Sequence, residues 1–470
     1  MKPRVSLREA LADDKLLGRA IPDDSWLNWR TFLIASMGEP LITNEERDAF
    51  ALMTYRVPNN IRPEEIVVIA GRRAGKTRAV AVLASYVSCL CDHNDVLAVA
   101  ERGTFPILSA STAQAAKAFQ HVAGILNNSP VLSQAVQSQT ADTIKLSTGV
   151  DIEVRPANFR TIRGVTAVGA AADEVAFWHN NESSTNPDHE ILNALRPALA
   201  TTRGPLIIIS SPYAKRGELY RYYREHFGNE NDPSILVARA ASRFFNSTLP
   251  QSVVDRALKA DADVARAEYL AEFREDIESY LPRAVIDACV SKGVHERLPD
   301  GRSYSAFADM SGGRSDSSVL AVGYRDGRRP VLACIREINS PHNPQAAAAE
   351  FSEILRNYRV RSVTADKYAG EWVVDAFRQH GITCEQAAAP RTDLYLNLLP
   401  LITSGECVLL DNQTLVSQLA NLERRNGSGR PVIDHAPGQH DDVANAAAGC
   451  LTALRQVRGY GLAELRAALA

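Results

Sequence analysis

Ile66-Val-Val-Ile-Ala-Gly-Arg-Arg-Ala-Gly-Lys-Thr77 is the stretch that decides how the first half of the chain folds. Its first four residues are apolar and mostly β-branched, which predicts a short buried strand. A tight loop of Gly71, Arg72, Arg73, Ala74 and Gly75 follows, and Lys76-Thr77 opens an alanine-rich helix. In such a cradle, loop N–H groups face an anion, the lysine reaches the β- and γ-phosphates, and the threonine ligates Mg²⁺.

The stretch departs from the strict Gly-x4-Gly-Lys-Ser/Thr pattern at one position. Ala70 stands where the first glycine is expected, so a chance Gly-Lys-Thr at a helix start is the alternative. The strand before the loop and the helix after it favour a nucleoside triphosphate site.

The composition is that of an ordinary folded protein. The chain has 470 residues, of which 45% are hydrophobic and 23% charged, and this length accommodates two or three domains. The formal net charge of −3 argues against a uniformly basic nucleic-acid coat, although it is compatible with a basic channel on an acidic body.

Cysteines and apolar runs indicate the compartment. The seven cysteines are odd in number and include no Cys-x-x-Cys pair, which argues against zinc and favours buried thiols in a reducing compartment. The N-terminal residues lack an apolar signal-peptide core, and no run reaches about 18 apolar residues. We therefore expect a protein that is neither secreted nor membrane-spanning.

The pattern of strands and helices changes along the chain. Residues 1–60 predict a lead-in or lid, and strands alternate with helices over residues 61–245, which predicts a parallel sheet with crossover helices. Residues 246–298 predict a helical connector. In residues 299–470 hairpins come first and helices later, so we expect a second α/β domain there.

Asp173-Glu174 follows a strand of small residues directly, about 100 residues after the loop. A carboxylate at a strand end can hold Mg²⁺ through water, and an adjacent glutamate can polarise the attacking water. Taken alone the pair is common surface chemistry, but the upstream phosphate loop favours the hydrolytic interpretation.

Arginines and serines near this pair add candidates. Arg163 lies ten residues before Asp173, and phosphoryl transfer gains most from an arginine beside the developing γ-phosphate charge. Arg72 and Arg73 compete for that role within the same chain. Ser210-Ser211, after the clearest strand of the sequence, could sense the γ-phosphate.

Four further acids predict a second site. Asp309 and Asp366 each end a strand, and Asp441-Asp442 start an alanine-rich helix. Two strand-end acids and one helix-start acid can hold two Mg²⁺ or Mn²⁺ ions that clamp a phosphodiester. The alternatives are turn residues for the first two and helix capping for the pair. Asp316 is a weaker candidate.

The order of AGRRAGKT, ADEVAFW, IIISSP, ADMSGG, TADKYAG and GQHDDVANA resembles the large subunit of tailed-bacteriophage terminases, over about Ile66 to Leu451. The resemblance implies an α/β fold with an N-terminal P-loop NTPase domain and a C-terminal RNase H-like nuclease domain. It implies that ATP hydrolysis drives double-stranded DNA into a prohead and that a two-metal endonuclease cuts the concatemeric genome.

The same resemblance implies roles for individual residues. In the ATPase, Lys76 and Thr77 would bind phosphate and Mg²⁺, Asp173 would be the Walker B acid, and Glu174 would be the catalytic base. Arg163 would be an arginine finger that acts on a neighbouring subunit. In the nuclease, the metal ligands would be Asp309, Asp366 and Asp441, with Asp442 beside them. The choice between the last two stays open.

Partners and compartment follow from the resemblance as well. It implies a homo-oligomeric ring on the prohead, a pentamer, with portal protein and small terminase subunit as partners, in the host cytoplasm and without a membrane. The alternatives are a helicase-like DNA-remodelling ATPase whose C-terminal domain binds DNA without cleaving it, and a structural scaffold with degenerate sites.

Overall fold

The structure is a computed structural model that describes residues 1–109, 112–157, 164–178, 187–366, 370–425, 431–436 and 439–455. The described residues up to Glu275 form one compact unit, called the first unit below, and those from Asp276 onward form the second unit. No helix in this described part of the chain is long and apolar enough to cross a membrane.

An eight-stranded sheet forms the centre of the first unit. The strands of this unit are β1 (Lys2–Pro3), β2 (Glu65–Ala70), β3 (Cys91–Asp92), β4 (Gly103–Ser109), β5 (Val136–Gln139), β6 (Thr143–Leu146), β7 (Val150–Pro156), β8 (Ala170–Asp173), β9 (Leu206–Ser210) and β10 (Ile235–Ala240). The sheet order is β10-β2-β9-β8-β4-β7-β6-β5, and β1 pairs separately with β3.

The expected parallel sheet is present but needs one correction. From β10 to β7 every neighbouring pair is parallel, whereas β6 pairs antiparallel with both β7 and β5. The reason is the short turn at Thr148-Gly149 between β6 and β7, because a connection of a few residues cannot carry the chain back to a parallel start. The sheet is therefore mixed at this edge.

Helices flank this sheet and include the N-terminal segment. They are α1 (Leu7–Ala12), α2 (Leu27–Ser36), α3 (Asn44–Thr54), α4 (Lys76–Cys89), α5 (Thr112–Asn128), α6 (Pro187–Ala200), α7 (Gly217–His226), α8 (Ser242–Phe245), α9 (Gln251–Ala260) and α10 (Ala262–Leu270). Thr43 is the N-cap of α3, where Thr43 and Glu46 form a reciprocal capping box. Trp29 and Phe32 of α2 pack into the same core as β2 and α4.

A five-stranded sheet forms the centre of the second unit. The strands are β11 (Ile277–Ser279), β12 (Val290–Ser291), β13 (Tyr304–Asp309), β14 (Ser318–Asp326), β15 (Arg329–Ile338), β16 (Ser362–Ala365), β17 (Thr383–Gln386), β18 (Leu409–Leu410), β19 (Leu422–Arg425) and β20 (Val432–His435). The central order is β15-β14-β13-β16-β17, with β13, β14 and β15 antiparallel and β13, β16 and β17 parallel. This is the expected RNase H-like arrangement.

The helices of the second unit are α11 (Arg283–Asp287), α12 (Pro344–Asn357), α13 (Glu371–Gln379), α14 (Arg391–Thr403), α15 (Gln413–Asn421) and α16 (Asp442–Ala453). Helix α16 approaches β13 very closely, because a Cβ atom added to Gly449 would lie 2.3 Å from the ring of Phe307. Only a glycine allows this approach, which brings the start of α16 to the end of β13. All seven cysteines are buried free thiols, as expected.

Candidate active sites

Parallel pairing brings the predicted nucleotide residues to one edge of the first sheet. Ile69 of β2 lies opposite Ser210 of β9, and Asp173 of β8 lies opposite Ile209. The carboxyl ends of these three strands therefore meet, which is where open α/β sheets bind their ligands.

The loop after β2 leaves the start of α4 available to an anion. Gly75 is the N-cap of α4, and no side chain makes a capping hydrogen bond there. It has a φ of +92°, and an added Cβ atom would lie 2.9 Å from the Trp26 ring, so only glycine fits both demands. The first N–H groups of a helix are unsatisfied within the helix, and uncapped ones can bind phosphate.

Lys76 lies buried at the centre of this cradle. Its ammonium donates to the carbonyl oxygens of Ala70 and Gly71 at 3.0 and 3.1 Å and to Ser211 Oγ at 2.8 Å. Glu174 Oε1 is 3.7 Å away. A buried ammonium with oxygen neighbours on several sides is suited to exchange one of them for a phosphate oxygen.

Asp173 and Glu174 lie beside this lysine in different surroundings. Burial, and then the neighbouring Glu174, raise the pKa of Asp173 to about 7, and its buried Oδ1 atom has no hydrogen-bond partner among the described residues. Glu174 has a left-handed φ of +56°, and its Oε2 accepts from Ser211 N at 3.1 Å and Ser210 Oγ at 3.2 Å. A buried carboxylate with an unsatisfied oxygen fits a bound Mg²⁺.

Of the remaining nucleotide-site candidates, only one makes an ion pair in the described part of the chain. Arg72 contacts Glu268 Oε1 at 2.7 Å, Arg73 is exposed with a φ of +64°, and Thr77 is half-buried in the first turn of α4. Arg163 lies outside the described residues.

Three residues that the sequence interpretation did not nominate hold the loop backbone. Trp29 Nε1 donates to Ala74 O at 2.7 Å. Ser242 Oγ donates to Arg72 O at 2.8 Å, and Asn246 Nδ2 donates to Arg73 O at 2.9 Å. No local pattern marks Ser242 or Asn246, which lie about 170 residues from the loop.

The second unit brings Asp309 and Asp366 together. The parallel strands β13 and β16 end side by side, with Asp366 N donating to Ala308 O at 3.2 Å. Asn445 Nδ2 donates to Asp309 Oδ2 at 2.8 Å and to Asp366 Oδ2 at 2.9 Å. Sequence reasoning missed Asn445, which lies one helical turn after Asp441 and Asp442.

The two adjacent acids at the start of α16 have different partners. The carboxylate of Asp441 accepts from Arg391 Nη1 at 2.9 Å and from Tyr395 Oη at 2.8 Å, and it makes no capping hydrogen bond. Burial, and then Asp441, raise the pKa of Asp442 to about 6, and a backbone N–H of Ser317 hydrogen-bonds to it. The side chain of Asp441 therefore does not cap α16.

Asp309 lies under the electrostatic influence of the whole cluster. Burial raises its pKa to about 8, and the negative charges of Asp442, Asp366 and Asp441 add to that effect. Asp316, the weaker candidate, lies 3.4 Å from His440 Nδ1.

The donor set of this cluster fits a hard divalent cation, although the described residues contain no group of three His, Cys, Asp or Glu side chains already placed to hold a metal. Asp309 lies close enough to Asp442 and Asp366 for their negative charges to raise its pKa, and the buried Oδ1 of Asn445 has no hydrogen-bond partner in the described structure. Oxygen donors of this kind suit Mg²⁺ or Mn²⁺.

No family model and no curated protein matches the chain. The solved structures to which it is similar include the large terminase of bacteriophage HK97, at 16% identity and a TM-score of 0.40, covering 93% of this chain and 99% of that one. The large terminase of a thermophilic bacteriophage, solved in complex with ADP, has 14% identity and a TM-score of 0.37, covering 85% and 95%.

A further similar structure is the large terminase nuclease of the thermophilic phage G20c with bound magnesium, at 21% identity and a TM-score of 0.32. It covers 37% of this chain and 96% of that one. At such values the likeness does not assign an activity, which has to be inferred from the residues themselves.

Proposed function

We propose that this chain is the large subunit of a tailed-bacteriophage terminase, an ATPase that moves double-stranded DNA into a prohead and a nuclease that cuts the concatemer. The observation that carries the proposal is the presence of two phosphate-directed sites on one chain. One is an uncapped helix start with Lys76, Asp173 and Glu174, and the other is a carboxylate cluster with Asp309 and Asp366. The order of motifs in the sequence supports the same assignment.

The first site has groups for each part of ATP hydrolysis. Lys76 and the N–H groups at the start of α4 bind the β- and γ-phosphates, and Lys76 exchanges one of its present oxygen partners for a phosphate oxygen. Asp173 and Thr77 hold Mg²⁺, which neutralises phosphate charge when bound. Glu174 takes the proton of the attacking water, with its carboxylate oriented by Ser210 and Ser211.

The second site is proposed to cleave a DNA phosphodiester. Asp309, Asp366 and Asp442 hold divalent cations, which stabilise negative charge on the attacking and leaving oxygens when bound. Asp441 serves instead to fix α16, because Arg391 and Tyr395 already occupy both of its carboxylate oxygens. The contacts therefore favour Asp442 as the third ligand.

The assembly proposed from the motif resemblance is a homo-oligomeric ring, a pentamer, with DNA, portal protein and small subunit as partners in the host cytoplasm. Residues 61–245 act as the motor and residues 299–470 as the nuclease, with residues 1–60 as a lid and residues 246–298 as a connector. Arg163 acts on the neighbouring subunit. Mixing Arg163→Ala with Glu174→Ala subunits is expected to restore part of the ATPase activity, and no restoration would exclude that role.

Two variants tested in two assays separate the proposed activities. Lys76→Ala is expected to reduce phosphate release from ATP by about 100-fold or more while cleavage of supercoiled plasmid with Mn²⁺ stays unchanged. Asp366→Ala is expected to do the reverse. Asp375→Ala serves as the matched control, since that exposed acid of the second unit pairs only with Arg378 in the described structure.

Each outcome has a definite meaning. If Asp309→Ala and Asp366→Ala cut plasmid as the wild type does, the second unit does not cleave DNA, and the helicase-like alternative is favoured. If Lys76→Ala leaves ATP hydrolysis at the wild-type level, the motor proposal is wrong.

A further inference from the structure

Asn445 lies inside the carboxylate cluster. It is a residue of α16 with a side chain that is 2% exposed, and its single amide nitrogen donates to Asp309 Oδ2 at 2.8 Å and to Asp366 Oδ2 at 2.9 Å. Its Oδ1 atom is buried and has no hydrogen-bond partner among the described residues. One end of the amide is thus fully used, and the other is unsatisfied.

The orientation of the amide matches the charges around it. A primary amide has two N–H donors and one carbonyl oxygen, and here each donor serves one of two neighbouring carboxylates. The N–H groups are the positive end of the amide dipole, so they offset the repulsion between the two acids. The carbonyl oxygen has no comparable interaction, and a buried acceptor without a partner is unfavourable.

A cation between the two acids reverses this preference. A metal ion between Asp309 and Asp366 repels the N–H end of the amide and attracts its oxygen. Rotation of the amide by about 180° exchanges the two atoms without moving the helix. At its present position Oδ1 makes no hydrogen bond, so the rotation gives up only the two N–H contacts to Asp309 and Asp366, and the contact between the oxygen and the cation must offset that loss.

We propose that Asn445 is an additional ligand of the metal site, whose amide holds Asp309 and Asp366 together through its nitrogen and binds the divalent cation through Oδ1 after rotating. Side-chain amide oxygens are ligands of hard cations, as carboxylates are. The inference rests on the proposed metal-dependent nuclease function of this cluster. It assigns Asn445 two roles, of which only the second requires its oxygen.

Two substitutions distinguish the roles. Asn445→Asp keeps an oxygen ligand and removes the N–H donors, whereas Asn445→Ala removes both. We would measure Mn²⁺ binding to the full-length protein by titration calorimetry, taking the heat left in Asp366→Ala as the background from other sites. Thermal unfolding with EDTA and with Mn²⁺ would be recorded in parallel.

The expected results differ for the two variants. Asn445→Ala binds Mn²⁺ about tenfold or more weakly than the wild type, a loss typical of groups that support a metal site. Asn445→Asp binds Mn²⁺ at least as tightly as the wild type, but it unfolds at a lower temperature in EDTA because a further carboxylate then faces two others. Asn357→Asp, which adds the same charge at the exposed C-terminal end of α12, should leave Mn²⁺ binding unchanged and lower the unfolding temperature by less than Asn445→Asp does.

Other results would overturn the inference. If Asn445→Asp binds Mn²⁺ as weakly as Asn445→Ala, Asn445 is a hydrogen-bond donor only, and if Asn445→Ala binds normally it is not a ligand. Wild-type binding no stronger than that of Asp366→Ala would instead refute the metal site itself. Should Asn445→Ala not fold, Asn445→Leu, which keeps much of the volume without a polar atom, is expected to show the same loss of affinity.

Discussion

Replacing Trp29 by phenylalanine tests whether the N-terminal segment holds the phosphate loop in its bound shape. Trp29 is 1% exposed and stacks on Phe245 with ring centroids 4.2 Å apart, while its indole N–H donates to Ala74 O at 2.7 Å. Phenylalanine keeps an aromatic ring in the stack and removes the N–H group. The substitution therefore removes the hydrogen bond to the loop, together with the buried volume by which an indole exceeds a phenyl ring, so the loss of stability has two sources and the loss of ATP affinity is the measurement specific to the loop.

The magnitude follows from the carbonyl that loses its partner. Ala74 is 1% exposed, and leaving a buried carbonyl oxygen unsatisfied costs about 1–3 kcal/mol. For a unit of this size, each kcal/mol lowers the unfolding temperature by about 2–4 °C, so loss of the hydrogen bond alone corresponds to a decrease of about 2–12 °C for the first unit. Ala74 immediately precedes Gly75 and Lys76, so part of this cost falls on the conformation of the loop that binds ATP. If about 1.4 kcal/mol of it does so, the affinity for ATP decreases tenfold.

Thermal unfolding and binding of a fluorescent ATP analogue would be measured on the full-length protein. Trp372→Phe is the matched control, because Trp372 lies on α13 in the second unit and is 37% exposed. We expect Trp29→Phe to lower both stability and ATP affinity and the control to change neither. Identical behaviour of the two variants in both measurements would show that the indole N–H does not support the loop.

Three further predictions concern single contacts. Asp442→Asn is expected to abolish plasmid cleavage with little change in stability. Asp441→Asn should instead lower the unfolding free energy by about 1–3 kcal/mol, because it weakens the largely buried ion pair with Arg391. If both variants lose cleavage equally and keep normal stability, the assignment of the two acids is wrong. Ser211→Ala is expected to lower kcat for ATP hydrolysis several-fold at an unchanged unfolding temperature. The hydroxyl that orients Lys76 is lost, while the backbone N–H of residue 211 still holds Glu174. An unchanged kcat would refute this role of the Ser211 hydroxyl. Thr43→Ala removes the side-chain cap of α3 and should lower the free energy of unfolding of the first unit by about 1 kcal/mol in urea, without altering cleavage. A decrease below about 0.3 kcal/mol would show that the cap is dispensable.

The features that could be predicted from the sequence are those with a local signal. A β-branched run followed by glycines and Gly-Lys-Thr specifies its strand, loop and helix within about 20 residues, and β2 and α4 lie where this pattern predicts. The sequence predicts that Asp309 and Asp366 meet for a related reason, because Asp309 ends a recognisable strand and Asp366 directly follows another. Parallel pairing of those strands then places them side by side.

The supports of both sites could not be predicted, because their signals are not local. Ser242 and Asn246 reach the loop only because the chain after β10 folds back against it, and nothing in their own neighbourhood indicates that return. Arg391 pairs with Asp441 across about 50 residues in the same way. Such contacts depend on which helix faces which, and periodicity within one segment does not contain that information.

The choice between Asp441 and Asp442 shows how packing decides what a motif leaves open. Successive residues on a helix point about 100° apart, so two adjacent carboxylates at a helix start cannot face the same target. Helical spacing alone does not say which of the two turns toward the sheet, because Asn445 lies three residues after Asp442 and four residues after Asp441, the N-cap. Gly449 lies against Phe307 of β13, so its face of α16, with Asn445 hydrogen-bonded to Asp309, is the one directed at the acids of the sheet. The carboxylate of Asp441 is instead bound by Arg391 and Tyr395 of α14, so these packing contacts, and not the position in the motif, distinguish Asp441 from Asp442.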